Sequence, residues 1–209
     1  MDDARYGFVA VVPIKPPALG KSRLAPLPPV ERARLARAFA LDTVTAVLGA
    51  QRVSGVLAVT DDFRLAAELE VQGCVVLPDA VSEDLNLNLA QAAREVARRW
   101  PEAGLVAICG DLPALRSAEL DLALALVPAA GAAYVADTVG EGTTIYAARR
   151  LDDFIPAFGP GSAARHQRAG ARALSGDWPT LRQDVDQLGD LGRALLLGVG
   201  VHTRAASGR

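Results

Sequence analysis

Over the first 127 residues, short apolar runs alternate with stretches in which apolar positions recur every three or four residues. Continuous apolar runs rich in Val and Ile are typical of buried strands, and they lie at residues 8–14, 56–60, 74–77 and 105–109. The helical spacing predicts helices over residues 30–48, 62–72, 88–100 and 119–127. This alternation predicts βαβ units and a mainly parallel sheet with helices on both faces.

The pattern changes in the second half of the chain. Two β-rich runs, residues 133–137 and 143–147, flank a glycine-containing turn and predict a β-hairpin, so the sheet is expected to be mixed. A short basic helix over 162–170, a last strand over 181–185 and a closing helix over 190–197 follow. We expect one α/β domain over residues 1–198 and a flexible tail over residues 199–209.

Composition excludes several classes of protein. The 209 residues carry 22 Lys and Arg against 24 Asp and Glu, a formal net charge of −2, whereas a nucleic-acid binder normally has a strong basic excess. The N-terminus has no cationic segment before its first apolar run, and Pro128 and Gly131 break the longest apolar stretch. The two cysteines, Cys74 and Cys109, show no metal-ligand spacing. We therefore expect a cytoplasmic protein with neither nucleic-acid nor membrane partners.

Basic side chains follow the first predicted strand, where ligands bind in open α/β sheets. Lys15, Lys21 and Arg23 are spaced through a loop that contains Gly20. Such cations can offset the charge of a polyphosphate while the backbone approaches it at glycine. The spacing is not that of a P-loop, and a solvated basic loop is the alternative interpretation.

Acidic side chains follow two other predicted strands. Asp111 comes directly after the fourth strand and Gly110, while Asp184 and Asp186 alternate on the last one and would share a face. Together the three carboxylates would form a hard oxygen site suited to Mg²⁺. Alternatively, Asp111 only caps the following turn. The combination of cations and acids predicts metal-assisted phosphoryl-type chemistry.

A second anion site is predicted in the C-terminal half. A glycine-flanked turn at Gly159 opens a helix with Ser162 at its cap, followed by His166. Thr143 and Thr144, at the start of a hairpin strand, add hydroxyl donors that could reach the same anion. The alternative is an ordinary Ser-capped surface helix with a surface histidine.

The order of these motifs resembles the guanylyltransferases of deazaflavin coenzyme F-420 biosynthesis. The motifs are V-P-I-K…G-K-S-R-L, D-x-x-L-N, G-D-L-P-A-L, D-x-x-G-x-G-T-T, F-G-x-G-S-A-x-x-H and D-V-D, and they run from about residue 8 to residue 197. G-D-x-P alone also occurs in nucleotidyltransferases of molybdenum-cofactor synthesis, whose Gly-rich first loop is absent here. Asn88 stands where the family pattern has a small residue.

The resemblance implies a single-domain nucleotidyltransferase fold of the nucleotide-diphospho-sugar transferase type. It implies transfer of GMP from GTP to the phosphate of a three-carbon acid, with Mg²⁺ as cofactor. The implied roles are GTP phosphate binding and catalysis by Lys15, Lys21 and Arg23, nucleotide binding by Asn86 and Gly110, Mg²⁺ binding by Asp111, Asp184 and Asp186, and acceptor binding by Gly159, Ser162, His166 and Thr143 or Thr144.

The expected acceptor substrate and protein partner follow from the family resemblance and from composition. The Ala, Arg and Leu bias is typical of a bacterial chain and favours phosphoenolpyruvate, while 2-phospho-L-lactate and 3-phospho-D-glycerate share its phosphate and carboxylate. A downstream F-420-pathway transferase is the expected protein partner. A non-catalytic nucleotide sensor on the same fold is the alternative from another class, and it predicts loss of a metal carboxylate or a loop cation.

Overall fold

A mixed β-sheet forms the centre of the molecule. A computed structural model describes residues 7–18, 24, 26–79 and 84–208. The strands are β1 Phe8–Pro13, β2 Val53–Val59, β3 Val75–Leu77, β4 Gly104–Ile108, β5 Ala132–Ala136, β6 Thr143–Ala148 and β7 Arg172–Ala173. Among the described residues these seven strands follow the order β3-β2-β1-β4-β6-β5-β7. The pairs among β1 to β4 are parallel, β6 is antiparallel to both neighbours, and β7 is parallel to β5.

Helices cover both faces of this sheet. They are α1 Pro29–Leu48, α2 Phe63–Val71, α3 Leu85–Arg99, α4 Ser117–Ala125, α5 Ser162–Arg168, α6 Pro179–Arg182, α7 Leu188–Leu197 and α8 Val201–Ala206, with a 3₁₀ turn at Leu151–Asp153. Alternate residues of β1 face opposite cores: Ala10 and Val12 pack with α1 and α4, while Val9 and Val11 pack with α3. Within the described ranges, no helix combines the length and apolarity needed to cross a membrane.

The predicted α/β class, the parallel strands and the β-hairpin are confirmed, and several helices begin at other residues than predicted. Helix α3 begins earlier than expected because the Asp84 carboxylate accepts from the amides of its first turn. Helix α4 likewise begins earlier, at Ser117, whose hydroxyl donates to Ala46 O at 2.7 Å. Ser162, predicted as the cap of the next helix, is instead the first residue of α5, after Gly161 with a φ of 68°.

The predicted last strand over residues 181–185 is wrong. Pro179–Arg182 instead forms the short helix α6, with proline at a helix start, where its fixed φ is favoured. Leu181 and Val185 are fully buried. The apolar residues at the two ends of the predicted strand are therefore buried by a helical turn and by the loop after it.

The C-terminal segment forms a helix where the sequence predicts a flexible tail. Helix α8 packs on α1, and the Asp42 carboxylate accepts from the amides of His202 at 3.0 Å and Thr203 at 2.7 Å. These amides lie in the first turn of α8 and have no partner within the helix, so the carboxylate fixes its start.

Candidate active site

Asp111 lies in a loop that is held on both sides by hydrogen bonds. This loop follows β4 at the carboxyl edge of the parallel strands. The Val185 amide donates to Asp111 O at 3.1 Å, and the Leu112 amide donates to the Thr43 hydroxyl at 3.0 Å. The backbone at Asp111 is therefore fixed by α1 and by the loop after α6.

The three predicted metal ligands come together at this edge. Asp111, Asp184 and Asp186 are half-buried, and one oxygen of each lies within 4.8 Å of the others. The bond from Val185 to Asp111 brings the 184–186 segment to the end of β4, and Asp190 accepts from the Asp186 amide at 3.0 Å. Three converging carboxylates are the hard oxygen donors that Mg²⁺ prefers, so the donor set fits that ion.

The end of β1 lies directly beside this cluster. A Cβ atom added at Gly110 would lie 3.0 Å from Ile14 Cγ1 and 3.1 Å from Pro13 O, so only glycine fits there without a shift. Lys15 lies two residues after the end of β1, and its side chain is exposed. Lys21 and Arg23, the other two predicted cations, lie outside the described residues.

Thr143 and Thr144 point to different faces of the sheet. The Thr144 hydroxyl donates to Leu181 O at 2.7 Å, on the side of α6. The Thr143 hydroxyl lies 2.9 Å from His166 Nδ1, on the side of α5. The sequence left open which threonine faces the predicted acceptor site, and this geometry favours Thr143.

His166 is buried behind Thr143. Its side chain is fully shielded from solvent, and its Nε2 accepts from the Ala157 amide at 2.9 Å. Burial, together with the nearby Arg165 cation, lowers the pKa of His166 to about 4. Both ring nitrogens are hydrogen-bonded inside the protein, so the imidazole supports the site without facing it.

The turn before α5 is joined to the hairpin loop. Gly159 has a φ of 120°, which favours glycine, and its carbonyl accepts from the Ser162 amide at 3.1 Å. The Ala163 amide donates to Glu141 O at 3.1 Å. This bond fixes the Gly159–Ser162 turn next to the start of β6, where Thr143 lies.

Asn86, predicted to bind the nucleotide, holds this same segment. Its Oδ1 accepts from the Phe158 amide at 2.7 Å, and its Nδ2 donates to Phe158 O at 3.1 Å. The first turn of α3 is thereby tied to the residue before Gly159.

Asp137 organises the hairpin loop, a role that the sequence analysis did not assign. Its carboxylate accepts from the amides of Gly140 at 2.6 Å, Glu141 at 3.0 Å and Gly142 at 2.8 Å. A side chain at Gly142 would collide with this carboxylate. An aspartate followed by glycines within a short loop, as in D-x-x-G-x-G, is the signal that could have indicated this role.

Comparison with solved structures defines the class of fold. A nucleotidyl transferase from Methanothermobacter thermautotroptrophicus superposes with a TM-score of 0.66 at 19% identity, covering 90% of this chain and 95% of that chain. A provisionally named nucleotide-diphospho-sugar transferase from Desulfovibrio desulfuricans gives a TM-score of 0.67 at 18% identity, covering 89% and 85%. The fold is therefore that of the nucleotidyltransferases.

Sequence comparison identifies the family within this class. The family model described as guanylyl transferase CofC like matches residues 8–206, and the chain belongs to this family. Two relatives named phosphoenolpyruvate guanylyltransferase are similar over almost their full length. The one from Thermomonospora curvata is 46% identical over 99% of this chain and 91% of its own, and the one from Geodermatophilus obscurus is 47% identical over 95% and 93%. The resemblance inferred from the motifs is confirmed.

Proposed function

We propose that the protein transfers GMP from GTP to the phosphate of phosphoenolpyruvate, releasing pyrophosphate and forming enolpyruvyl-diphospho-guanosine. The observation that carries this proposal is the nearly full-length similarity to relatives named for that reaction. The site supports it because three carboxylates, Lys15 and the Gly159–Ser162 turn lie toward the carboxyl edge of the parallel strands.

Asp111, Asp184 and Asp186 would hold Mg²⁺ in this proposal, since their oxygens converge and are of the preferred type. When bound, such an ion offsets negative charge on the phosphates of the nucleotide. The loop around Asp111 is held by backbone hydrogen bonds to Thr43 and Val185, so the carboxylates are positioned before substrate arrives.

The basic loop after β1 would bind the triphosphate. Lys15 is exposed two residues after the end of β1, next to Ile14, which lies against Gly110, and Lys21 and Arg23 follow it in sequence. Their charge would stabilise the leaving pyrophosphate, which gains negative charge as its bond to the α-phosphorus breaks.

The acceptor phosphate would lie between Thr143 and the turn from Gly159 to Ser162. One of its oxygens attacks the α-phosphorus of GTP in line, and the bond from that phosphorus to the oxygen bridging to pyrophosphate breaks. This nucleophile is already an anion, so the step needs no general base. Positioning and electrostatics supply the rate enhancement.

The experiment that tests this function measures pyrophosphate release with GTP and Mg²⁺. Phosphoenolpyruvate, 2-phospho-L-lactate and 3-phospho-D-glycerate are offered separately, with the F-420-pathway transferase and its deazaflavin acceptor present to consume a labile product. We expect release that depends on phosphoenolpyruvate. Pyrophosphate release with only one of the other two acids would show that this acid, and not phosphoenolpyruvate, is the acceptor. GTP binding without pyrophosphate release in the presence of any acid would favour the nucleotide sensor.

A further inference from the structure

We propose that His166 is a positioning residue that holds the Thr143 hydroxyl as a hydrogen-bond donor toward the acceptor phosphate. In this arrangement His166 carries its single ring proton on Nδ1 and donates it to Thr143 Oγ1. The hydroxyl proton of Thr143 then points away from the imidazole and into the acceptor site. The inference rests on the proposed function for the identity of the anion, whereas the direction of the hydrogen bonds comes from this chain alone.

The position of the ring proton follows from the partner of Nε2. The Ala157 amide can only donate, and its nitrogen lies 2.9 Å from Nε2, so Nε2 must present its lone pair. A neutral imidazole has one N–H, which therefore lies on Nδ1. Nδ1 is 2.9 Å from Thr143 Oγ1, so the histidine donates and the threonine accepts.

The ring is held in the neutral form by its surroundings. His166 is fully buried and stacks on Tyr146 with ring centroids 4.4 Å apart. It also packs edge-to-face with Phe158, where the ring centroids are 5.3 Å apart. An imidazolium here would lose hydration and would bring a second positive charge close to Arg165. It would also place a proton on Nε2 facing the Ala157 amide.

The two adjacent threonines therefore use their protons differently. Thr144 donates to the carbonyl of Leu181 at 2.7 Å, so its proton is used within the protein. Thr143 accepts from His166, and within the described part of the chain its hydroxyl oxygen has no other hydrogen-bond partner. Its proton remains available to an anion beside the Gly159–Ser162 turn.

His166 also joins the two walls of this site. Nδ1 contacts the start of β6 at Thr143, while Nε2 holds Ala157, and Asn86 holds Phe158 next to it. The imidazole of His166 thus fixes Ala157, which leads into the Gly159–Ser162 turn, relative to Thr143. Phosphate binding needs several donors that converge, and this arrangement sets their separation in advance.

The tautomer can be tested without any substrate. The chain has two histidines, His166 and His202, so nitrogen-15 labelling gives two pairs of ring signals, and His202→Asn leaves only the pair of His166. We expect a neutral ring protonated on Nδ1 that stays unchanged between about pH 8 and about pH 6. A ring protonated on Nε2, or on both nitrogens, would overturn the proposal.

The effect on the acceptor can be tested with paired variants. His166→Asn retains an amide donor near the Nδ1 position, whereas His166→Gln keeps a polar group near Nε2 and loses the donor to Thr143. We expect His166→Gln and Thr143→Val each to raise the KM for phosphoenolpyruvate by about tenfold to a hundredfold, the loss typical of a hydrogen bond to a charged group. His166→Asn and Thr143→Ser should stay within about threefold, and the KM for GTP within about twofold in all four.

The double variant separates positioning from a general structural role. If His166 acts through Thr143, adding His166→Gln to Thr143→Val raises the KM for phosphoenolpyruvate no further. Additive effects, or an equal rise in the KM for GTP, would overturn the proposal, and His202→Asn serves as the control. If the wild-type protein releases no pyrophosphate with any of the three acids, the proposed function fails, and the histidine spectrum alone then decides the hydrogen-bond direction.

Discussion

Asn86 and Phe158 are joined by two hydrogen bonds between one carboxamide and one residue's backbone. The side-chain oxygen accepts at 2.7 Å and the side-chain nitrogen donates at 3.1 Å, although the residues are 72 positions apart. This pairing fixes the segment that leads into the Gly159–Ser162 turn. It makes Asn86 a structural support of the proposed acceptor site.

A pair of Asn86 variants distinguishes this role from direct contact with the nucleotide. Asn86→Asp places a carboxylate oxygen against Phe158 O in place of a donor, while Asn86→Ala removes both bonds. We expect both to raise the KM for phosphoenolpyruvate, the aspartate by about tenfold or more, with little change in the KM for GTP. Steady-state kinetics with each substrate varied in turn provides the measurement. A selective rise in the KM for GTP would instead assign Asn86 to the nucleotide.

Asp111→Asn is expected to abolish turnover while leaving the fold intact. The substitution removes one negative charge from the carboxylate cluster, and loss of a ligand charge should lower kcat/KM by more than about a hundredfold. The hydrogen bonds that join the loop to Val185 and Thr43 use the backbone of residues 111 and 112, so the melting temperature should change little.

Asp152→Asn is a suitable control for Asp111→Asn because Asp152 is exposed in the 3₁₀ turn, beyond the opposite end of β6. It should leave both kinetics and melting temperature unchanged. Turnover by Asp111→Asn close to that of the wild type would refute the proposed metal site.

The sequence predicts an element correctly when the residues that determine it are neighbours in the chain. Strands β1, β2 and β4 each contain a continuous buried run of four or five residues, and the sequence predicts all three. Residues 181–185 contain only two apolar residues, Leu181 and Val185, and both are buried, although the segment belongs to the helical turn that begins at Pro179 and the loop after it. Two buried apolar residues at the ends of a short segment do not distinguish a strand from a helical turn.

Contacts between distant segments account for what the sequence analysis missed. Helix α8 is capped by Asp42, 160 residues before His202. Asp111 follows a buried strand and the two threonines begin β6, as the sequence predicts, whereas Asp184 and Asp186 reach Asp111 through the Val185 hydrogen bond and not through the strand predicted there. The inward position of His166 depends on Ala157 and Thr143 packing around it, which no spacing in the α5 segment indicates.

Asp137→Asn should destabilise the protein through its hairpin loop. The carboxylate accepts from three consecutive amides, and an asparagine offers one oxygen and turns a donor toward at least one of them. We expect a loss of about 1–3 kcal/mol in the free energy of unfolding, the usual cost of disrupting hydrogen bonds to a charged group. For a chain of this size, that corresponds to a fall in melting temperature of about 2–12 °C.

Glu141→Gln provides a matched control within the same loop. Glu141 is exposed, and the loop uses its backbone amide and carbonyl rather than its carboxylate. Its melting temperature should stay within about 2 °C of the wild type, since surface substitutions seldom change stability by more than about 0.5 kcal/mol. Equal shifts in the two variants would show that the Asp137 carboxylate does not organise the loop.

The buried imidazole of His166 predicts a specific loss of stability in acid. Its pKa is about 4 in the folded protein, against an ordinary value of 6.5, so between these values the unfolded chain binds more protons than the folded one. The contribution of His166 is therefore complete above about pH 6.5 and is lost as the pH falls toward about 4, by up to about 3 kcal/mol. Urea unfolding of the wild type and His166→Asn at a series of pH values gives the free energy of unfolding of each. The difference between the two isolates the contribution of His166, because both proteins contain the same carboxylates. The curves should converge as the pH falls, since only the wild type loses this term, and parallel curves would show that His166 titrates alike in the folded and unfolded states.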